Sequence, residues 1–221
     1  MSSVRNSTAQ IGAGLFVAAL LGAVVAGAWS LQADRTRLSE PSPIDIGFAQ
    51  AMSLHHQQAI GMANLMLDGR PTPLAPMARG IVTAQLLELG EMRGWLRLWG
   101  KPLLAADRRD MGWMLLGREA PGEDLLQYLL DCQRSPTGML GLATDADMDR
   151  LRHLDGRARD AHFLTLMLAH HQGGLPMARF AAEQANIPVV RELAARVVLE
   201  QSQEVGLILR TQQAMAAASV P

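Results

Sequence analysis

Cysteine is almost absent from this chain, with Cys132 the only one in 221 residues. That excludes an intrachain disulfide and a thiolate metal cluster, so any metal site must draw mainly on His, Met and oxygen ligands. Aromatic residues are equally scarce at 4%, although 49% of the chain is hydrophobic. The apolar content is therefore Ala, Leu, Val and Met, residues that favour helices over half-buried strands. The chain also lacks charge of one sign: a formal net charge of -1 leaves no basic field to gather phosphates, which argues against nucleic acid as a partner. Neither a glycine-rich phosphate loop nor a Ser-His-Asp constellation is present.

One long uncharged run does exist. Ile11 to Leu31 reads IGAGLFVAALLGAVVAGAWSL, just long enough to cross a bilayer core at about 20 residues. Residues 1–31 are read as a signal anchor or a signal peptide, the latter because Ala26-Gly27-Ala28 has the small-x-small pattern of a cleavage site. This implies a single-pass membrane protein with its domain outside the cytoplasm, or a secreted or periplasmic one if the leader is cut. Residues 32–43, with Ser39, Pro41, Ser42 and Pro43, read as a linker.

The remainder, residues 44–219, contains an internal repeat. A shift of 115 residues superposes Asp45 on Asp160, Phe48 on Phe163, Met52 on Met167, His55-His56-Gln57 on His170-His171-Gln172, and Met62-Ala63 on Met177-Ala178. A fixed offset of this kind is the signature of duplication. At a shift of 116, Gln85 meets Gln201, Glu88 meets Glu204 and Gly90 meets Gly206. The two copies span 44–99 and 145–217, with a crossover at 100–144. Apolar residues recur at three- and four-residue intervals in Ile44–Leu67, Met77–Leu98, Ala161–Ala185 and Val189–Met215. Each copy is thus a helical hairpin joined by a proline-containing turn. A hairpin cannot bury its own apolar stripe, so two should pack face to face as an all-α four-helix bundle. Short helical pieces are expected in the crossover near Arg108–Leu116 and Glu123–Leu130, one or two turns at Asp145–Leu154, and a kink at Pro176.

At about 100° per residue, Phe48, Met52, His55, Ala59, Met62 and Met66 share one face of the first helix. The adjacent histidines straddle that stripe, one toward the second helix of the hairpin and one toward the opposite repeat. Four buried imidazoles without partners would cost about 1 to 3 kcal/mol per unsatisfied group. The candidate ligands are therefore His55, His56, His170 and His171, with Glu88 and Glu204, and the thioethers of Met52, Met62, Met167 and Met177. Gln85 and Gln201 stand one helical turn before the glutamates and are read as outer partners of the histidines. Imidazole and carboxylate suit zinc, iron, manganese or Cu(II), whereas thioethers shift the preference to Cu(I). Asp45 and Asp160 lie ten residues upstream of the first histidine of each pair and suit helix N-terminal roles instead. The tryptophans Trp95, Trp99 and Trp113 are expected to pack the end of the bundle, and His153 and His162 to lie at the surface.

With these residues in place, the chain resembles the bacterial family called domain of unknown function 305. The Asp, Phe, Met, His-His, Met-Ala and downstream Gln-x-x-Glu pattern occurs twice, at Asp45 to Glu88 and at Asp160 to Glu204. Met111-Gly112-Trp113-Met114 and Met139 to Thr144 also look like that family, while Pro176 and Ser53-Leu54 depart from it. The resemblance implies a ferritin-like fold and, because some members are associated with it, copper handling outside the cytoplasm. The leading reading is an extracytoplasmic metal-binding protein with copper the first candidate. A ferritin-like redox enzyme is the second, weakened because the Glu-x-x-His motif of di-iron bundles is missing: Glu91 follows Glu88 by three, and Leu207 follows Glu204. A metal-free helical interaction module at the membrane is the third. Self-association into a homo-oligomer is left open.

Overall fold

The computed structural model describes residues 22–24, 26, 27, 29, 40–107 and 109–218. Most of the expected leader and most of the expected linker lie outside the described residues. Residues 1–40 form a unit separate from residues 41–221. Among the described residues, no helix is long and apolar enough to cross a membrane.

The second unit is all-α. Its four long helices are α1 (Pro43–Leu65), α2 (Ala75–Leu98), α5 (Gly156–Gln184) and α6 (Pro188–Ala217). The crossover between the hairpins carries a 3-10 turn at Gly112–Leu115 and α3 (Glu123–Arg134), and α4 (Asp145–His153) leads into α5. Helix starts follow local chemistry. Ser42 and Asp45 form a capping box at α1, with Pro43 in the first turn, and Thr144 and Asp147 form another at α4. The second box makes residues 145–153 a proper helix rather than the one or two turns expected. Proline at the first or second position opens α2 and α6, where its missing N–H costs nothing. Helix α5 continues without interruption through Pro176.

Helix α1 packs along α2 and along α5, and α5 packs along α6; α2 and α6 share no comparable seam. The buried apolar residues fall into two clusters. Met52 and Met177 belong to one, with Phe48, Met92, Leu96 and Trp113; Met62 and Met167 belong to the other, with Met66, Ile81, Phe163 and Ile208. The repeat equates Met52 with Met167, yet in space Met52 shares a cluster with Met177, so α1 and α5 run antiparallel. Trp113 packs edge-on against Phe48 and Phe180, and Trp95 stacks on Trp99. His153 is exposed as expected, whereas His162 is half-buried and bonded to the Asp147 carbonyl.

The two repeats lock each other through equivalent aspartates. Asp45 caps α1 and also accepts hydrogen bonds from the backbone N–H groups of Ile187 (3.0 Å) and Asn186 (3.3 Å), in the turn of the other hairpin. Asp160 is not the cap expected of it, because α5 begins four residues earlier. It accepts instead from the Thr72 hydroxyl (2.7 Å), whose oxygen takes the Leu74 N–H in the first hairpin's turn. Nearby, the fully buried guanidinium of Arg159 reaches Asp68 and the Arg70 carbonyl. Arg70, and then Arg159, hold the Asp68 carboxyl well below the usual carboxylate range.

Removing Asp45 strips a cap and leaves backbone donors of the opposite turn unsatisfied. Asp45→Ala is expected to lower unfolding free energy by about 2–4 kcal/mol, the sum of a lost cap and a buried unpaired group. Urea denaturation measures it; Ser42→Ala, which disturbs only the cap, should cost about 1 kcal/mol.

Candidate metal centre

Between the two apolar clusters lies a layer of buried polar side chains. His55, His56, His170 and His171 are fully buried, and Gln85, Glu88 and Gln201 nearly so. Adjacent positions on a helix are about 100° apart, so each His-His pair must divide its attention. His56 turns to its own hairpin, where its Nε2 lies 2.7 Å from Glu88 Oε2 on α2. His171 does the same toward Glu204 on α6, at 2.5 Å. His55 and His170 turn to each other across the α1–α5 seam, with ring centroids 3.7 Å apart. His170 Nε2 lies 2.9 Å from the His55 carbonyl oxygen.

These partners settle the tautomers. A carboxylate or carbonyl oxygen only accepts, so His56, His170 and His171 each donate from Nε2–H and turn Nδ1 the other way. None of those Nδ1 atoms has a hydrogen-bond partner among the described residues, and neither ring nitrogen of His55 has one. The amide atoms of Gln85 and Gln201 and Glu88 Oε1 are likewise buried without partners. At about 1–3 kcal/mol for each orphaned group, the layer opposes folding by an amount comparable to a domain's whole stability of ~5–15 kcal/mol. An imidazole that donates outward to a carboxylate or carbonyl, with its other nitrogen bare, is the arrangement metal-binding histidines use. Glu88 and Glu204 are each bonded to the Nε2 of the outer histidine of their own hairpin.

Protonation does not relieve the inner pair. Burial, and after it the neighbouring imidazoles, hold His55 and His170 well below the ordinary histidine value of 6.5, so both rings are neutral at pH 7. Among the described residues no three His, Cys, Asp or Glu side chains are grouped to hold a metal by themselves. The thioethers bracket the layer: Met52 and Met177 on one side, Met62 and Met167 on the other, all fully buried.

Several residues that position the site were not singled out in the sequence. Gly174 provides room for His55: a Cβ there would lie 2.6 Å from the His55 ring and 3.2 Å from Gln201 Oε1. Gly173 admits the crossover, since its Cβ would meet the Leu140 carbonyl at 2.2 Å. Gly141, at φ +82°, lies equally close to the backbone of Ala169 and His170. Residues 139–143 therefore press directly on α5 beside the histidines, held by two hydrogen bonds between Gln58 and the Ala143 backbone. Tyr128 of α3 adds a bond to the Gly173 carbonyl. A Gly-Gly pair inside a helix was the available signal. Glu200, one turn before Glu204, was also missed; burial and the charges of Glu88 and Glu204 raise its carboxyl above the ordinary value.

Two outcomes follow from the neutral imidazoles and the glycine contact. Between the depressed folded values of His55 and His170 and their unfolded value near 6.5, the unfolded chain binds more protons, so stability falls as pH drops from 6.5. The melting temperature of the metal-free protein should decline from pH 7 to pH 5, and His55→Leu with His170→Leu should flatten that decline. Gly174→Ala should displace the His55 ring, seen as a shift of its imidazole resonances by NMR with the helical circular dichroism retained.

The chain was compared with known proteins. The model of the family described as domain of unknown function, DUF305, matches residues 45–211. No curated protein matches. The crystal structure of a DUF305 protein from Streptomyces coelicolor, inferred to be secreted, is 33% identical with a TM-score of 0.66, covering 78% of this chain and 94% of that one. A DUF305 fragment from Deinococcus radiodurans is 24% identical with a TM-score of 0.60, covering 78% and 97%. CopM in its Cu(I)-bound form is 25% identical with a TM-score of 0.53, covering 76% and 95%. The doubled His-His pattern, the helical hairpins and these matches lead to one assignment: the chain belongs to the DUF305 family.

Proposed function

We propose that this chain is an extracytoplasmic copper-binding protein, in which the histidine layer and its flanking methionines hold the ion as cargo. The observation that carries the reading is the set of buried Nδ1 atoms on His56, His170 and His171, each ring fixed by an Nε2–H bond to an acceptor and each Nδ1 without a partner among the described residues. Metal coordination removes that cost, since a metal ion takes up the unpartnered imidazole nitrogens directly.

The donor set favours a soft ion. The four buried methionines belong to the apolar clusters on either side of the histidines, and thioethers prefer Cu(I) to zinc, iron or manganese. His55, His56, His170 and His171 supply imidazole nitrogen, and Met52, Met62, Met167 and Met177 supply sulfur. Glu88 and Glu204 orient the outer histidines, and the unpartnered amides of Gln85 and Gln201 lie buried in the same layer. The likeness to CopM, solved with Cu(I), supports copper as the metal. The ferritin-like affinity and the redox alternative find less support, since each glutamate is committed to a histidine rather than bridging two metals. The apolar run at 11–31 and the likeness to a family member inferred to be secreted support export, with the leader acting as an anchor or a cleaved signal.

Titration of the purified full chain with Cu(I), Cu(II), Zn(II) and Fe(II) tests the reading. Replacing all four layer histidines with Ala should abolish tight binding of every metal, whereas replacing the four methionines with Leu should weaken Cu(I) selectively. Glu88→Gln should weaken binding by roughly 10–100-fold, the usual effect of losing a histidine's orienting partner. Wild-type affinity in the histidine variant would overturn the proposal.

A further inference from the structure

The carboxylates that orient the outer histidines stand on α2 and α6, the two helices that do not pack together. Every approach through α1 or α5 is closed by a helix–helix seam, and the crossover at residues 139–143 lies against α5. The space between α2 and α6 is different. One groove there, of about 710 Å³, is lined by Glu88, Glu200, Glu91, Arg196 and Gly80. A second, of about 1180 Å³, is lined by Gly80, Leu207 and Glu204 and extends to the Pro71–Pro76 turn. Gly80 lines both, so the two grooves adjoin there along α2 as the parts of an α2–α6 trough, with a histidine-bound carboxylate in each part. A hydrated ion with six or seven waters occupies roughly 200 Å³ at ~30 Å³ per water, less than either groove.

The trough also has the electrostatics of a cation path. Glu88 lines it, is almost fully buried, and its Oε1 has no partner among the described residues, so a lone pair is left for an incoming cation. Arg196 reaches across to Glu91 at 2.6 Å, which commits that positive charge to a salt bridge. Arg79 also lines the trough. The side chain of Glu204 is 25% exposed against 6% for Glu88, so the α6 carboxylate is the more accessible of the two. We propose that this α2–α6 trough is the port through which the metal ion reaches and leaves the histidine layer, with Glu200 receiving it and Gly80 keeping the opening clear. The inference rests on the metal-binding reading above and adds its route. Carboxylate oxygens replace the ion's waters in steps, so desolvation is spread along the path rather than met at one barrier.

A port changes rates without changing equilibrium, and that separates it from a ligand. Gly80 is exposed and a Cβ there meets nothing within 4 Å, so a side chain can leave the helix at this point without a clash at its first atom, and circular dichroism checks that the helices are retained in each variant. Cu(I) exchange between the full chain and a chromophoric Cu(I) chelator would be followed by stopped flow for wild type, Gly80→Ala, Gly80→Phe and Glu200→Gln. Gly80→Phe should slow association and dissociation alike, by roughly tenfold, with affinity unchanged because both rates move together. Gly80→Ala should exchange as wild type does. Glu200→Gln should slow association by about threefold at low ionic strength, with the difference closing as salt rises. Wild-type rates in Gly80→Phe would overturn the port while leaving metal binding intact. A loss of affinity with unchanged association would overturn it too, by showing that position 80 acts on the site itself. Failure of the wild-type chain to take up Cu(I) would overturn both readings together.

Discussion

Four imidazoles buried where α1 crosses α5 are the constraint around which the rest of this structure is arranged. An apolar core would have been simpler to build, and two are present, one on either side of the histidine layer. The layer interrupts them with groups that water would solvate better, and the surrounding structure is shaped to hold those groups in one orientation. Glutamates fix the outer rings, a main-chain carbonyl fixes one inner ring, and a glycine makes space for the other. Such a layer is selected for its chemistry and tolerated by its stability.

Duplication explains how one motif serves two purposes. The two histidines of a pair cannot share a direction on a helix, and the antiparallel meeting of two copies gives each direction a use. The outer rings find carboxylates within their own hairpin, while the inner rings find each other. The methionines are redistributed in the same way, since a repeat that equates Met52 with Met167 brings Met52 beside Met177 instead. Symmetry is nevertheless imperfect: Glu204 is more exposed than Glu88, and only the second copy carries Gly173-Gly174, on which the crossover rests.

Much of this was legible because the repeat and the helical period say the same thing. The hairpins, their turns, the stripe containing Met52, His55 and Met62, and the division of each histidine pair all follow from spacing at 100° per residue. What was not legible depends on contacts between distant segments. Asp160 has the sequence setting of Asp45 but sits a full turn inside its helix, because α5 starts at Gly156, so its bond goes to Thr72. Arg159 has no periodic signal to mark it as buried. Gly174 reads as a weak point in a helix until the His55 ring is seen against it. Glu200 is one more surface glutamate until Glu88 is brought near from the other hairpin.

The reciprocal aspartates carry a last consequence. Each repeat supplies the acceptor that finishes the other's turn, and neither turn is complete alone. This is the bonding pattern of a two-fold symmetric dimer, in which residue i of one subunit meets residue j of the other and the reverse. The present chain has that arrangement within one polypeptide, so its halves complete each other and are not autonomous modules.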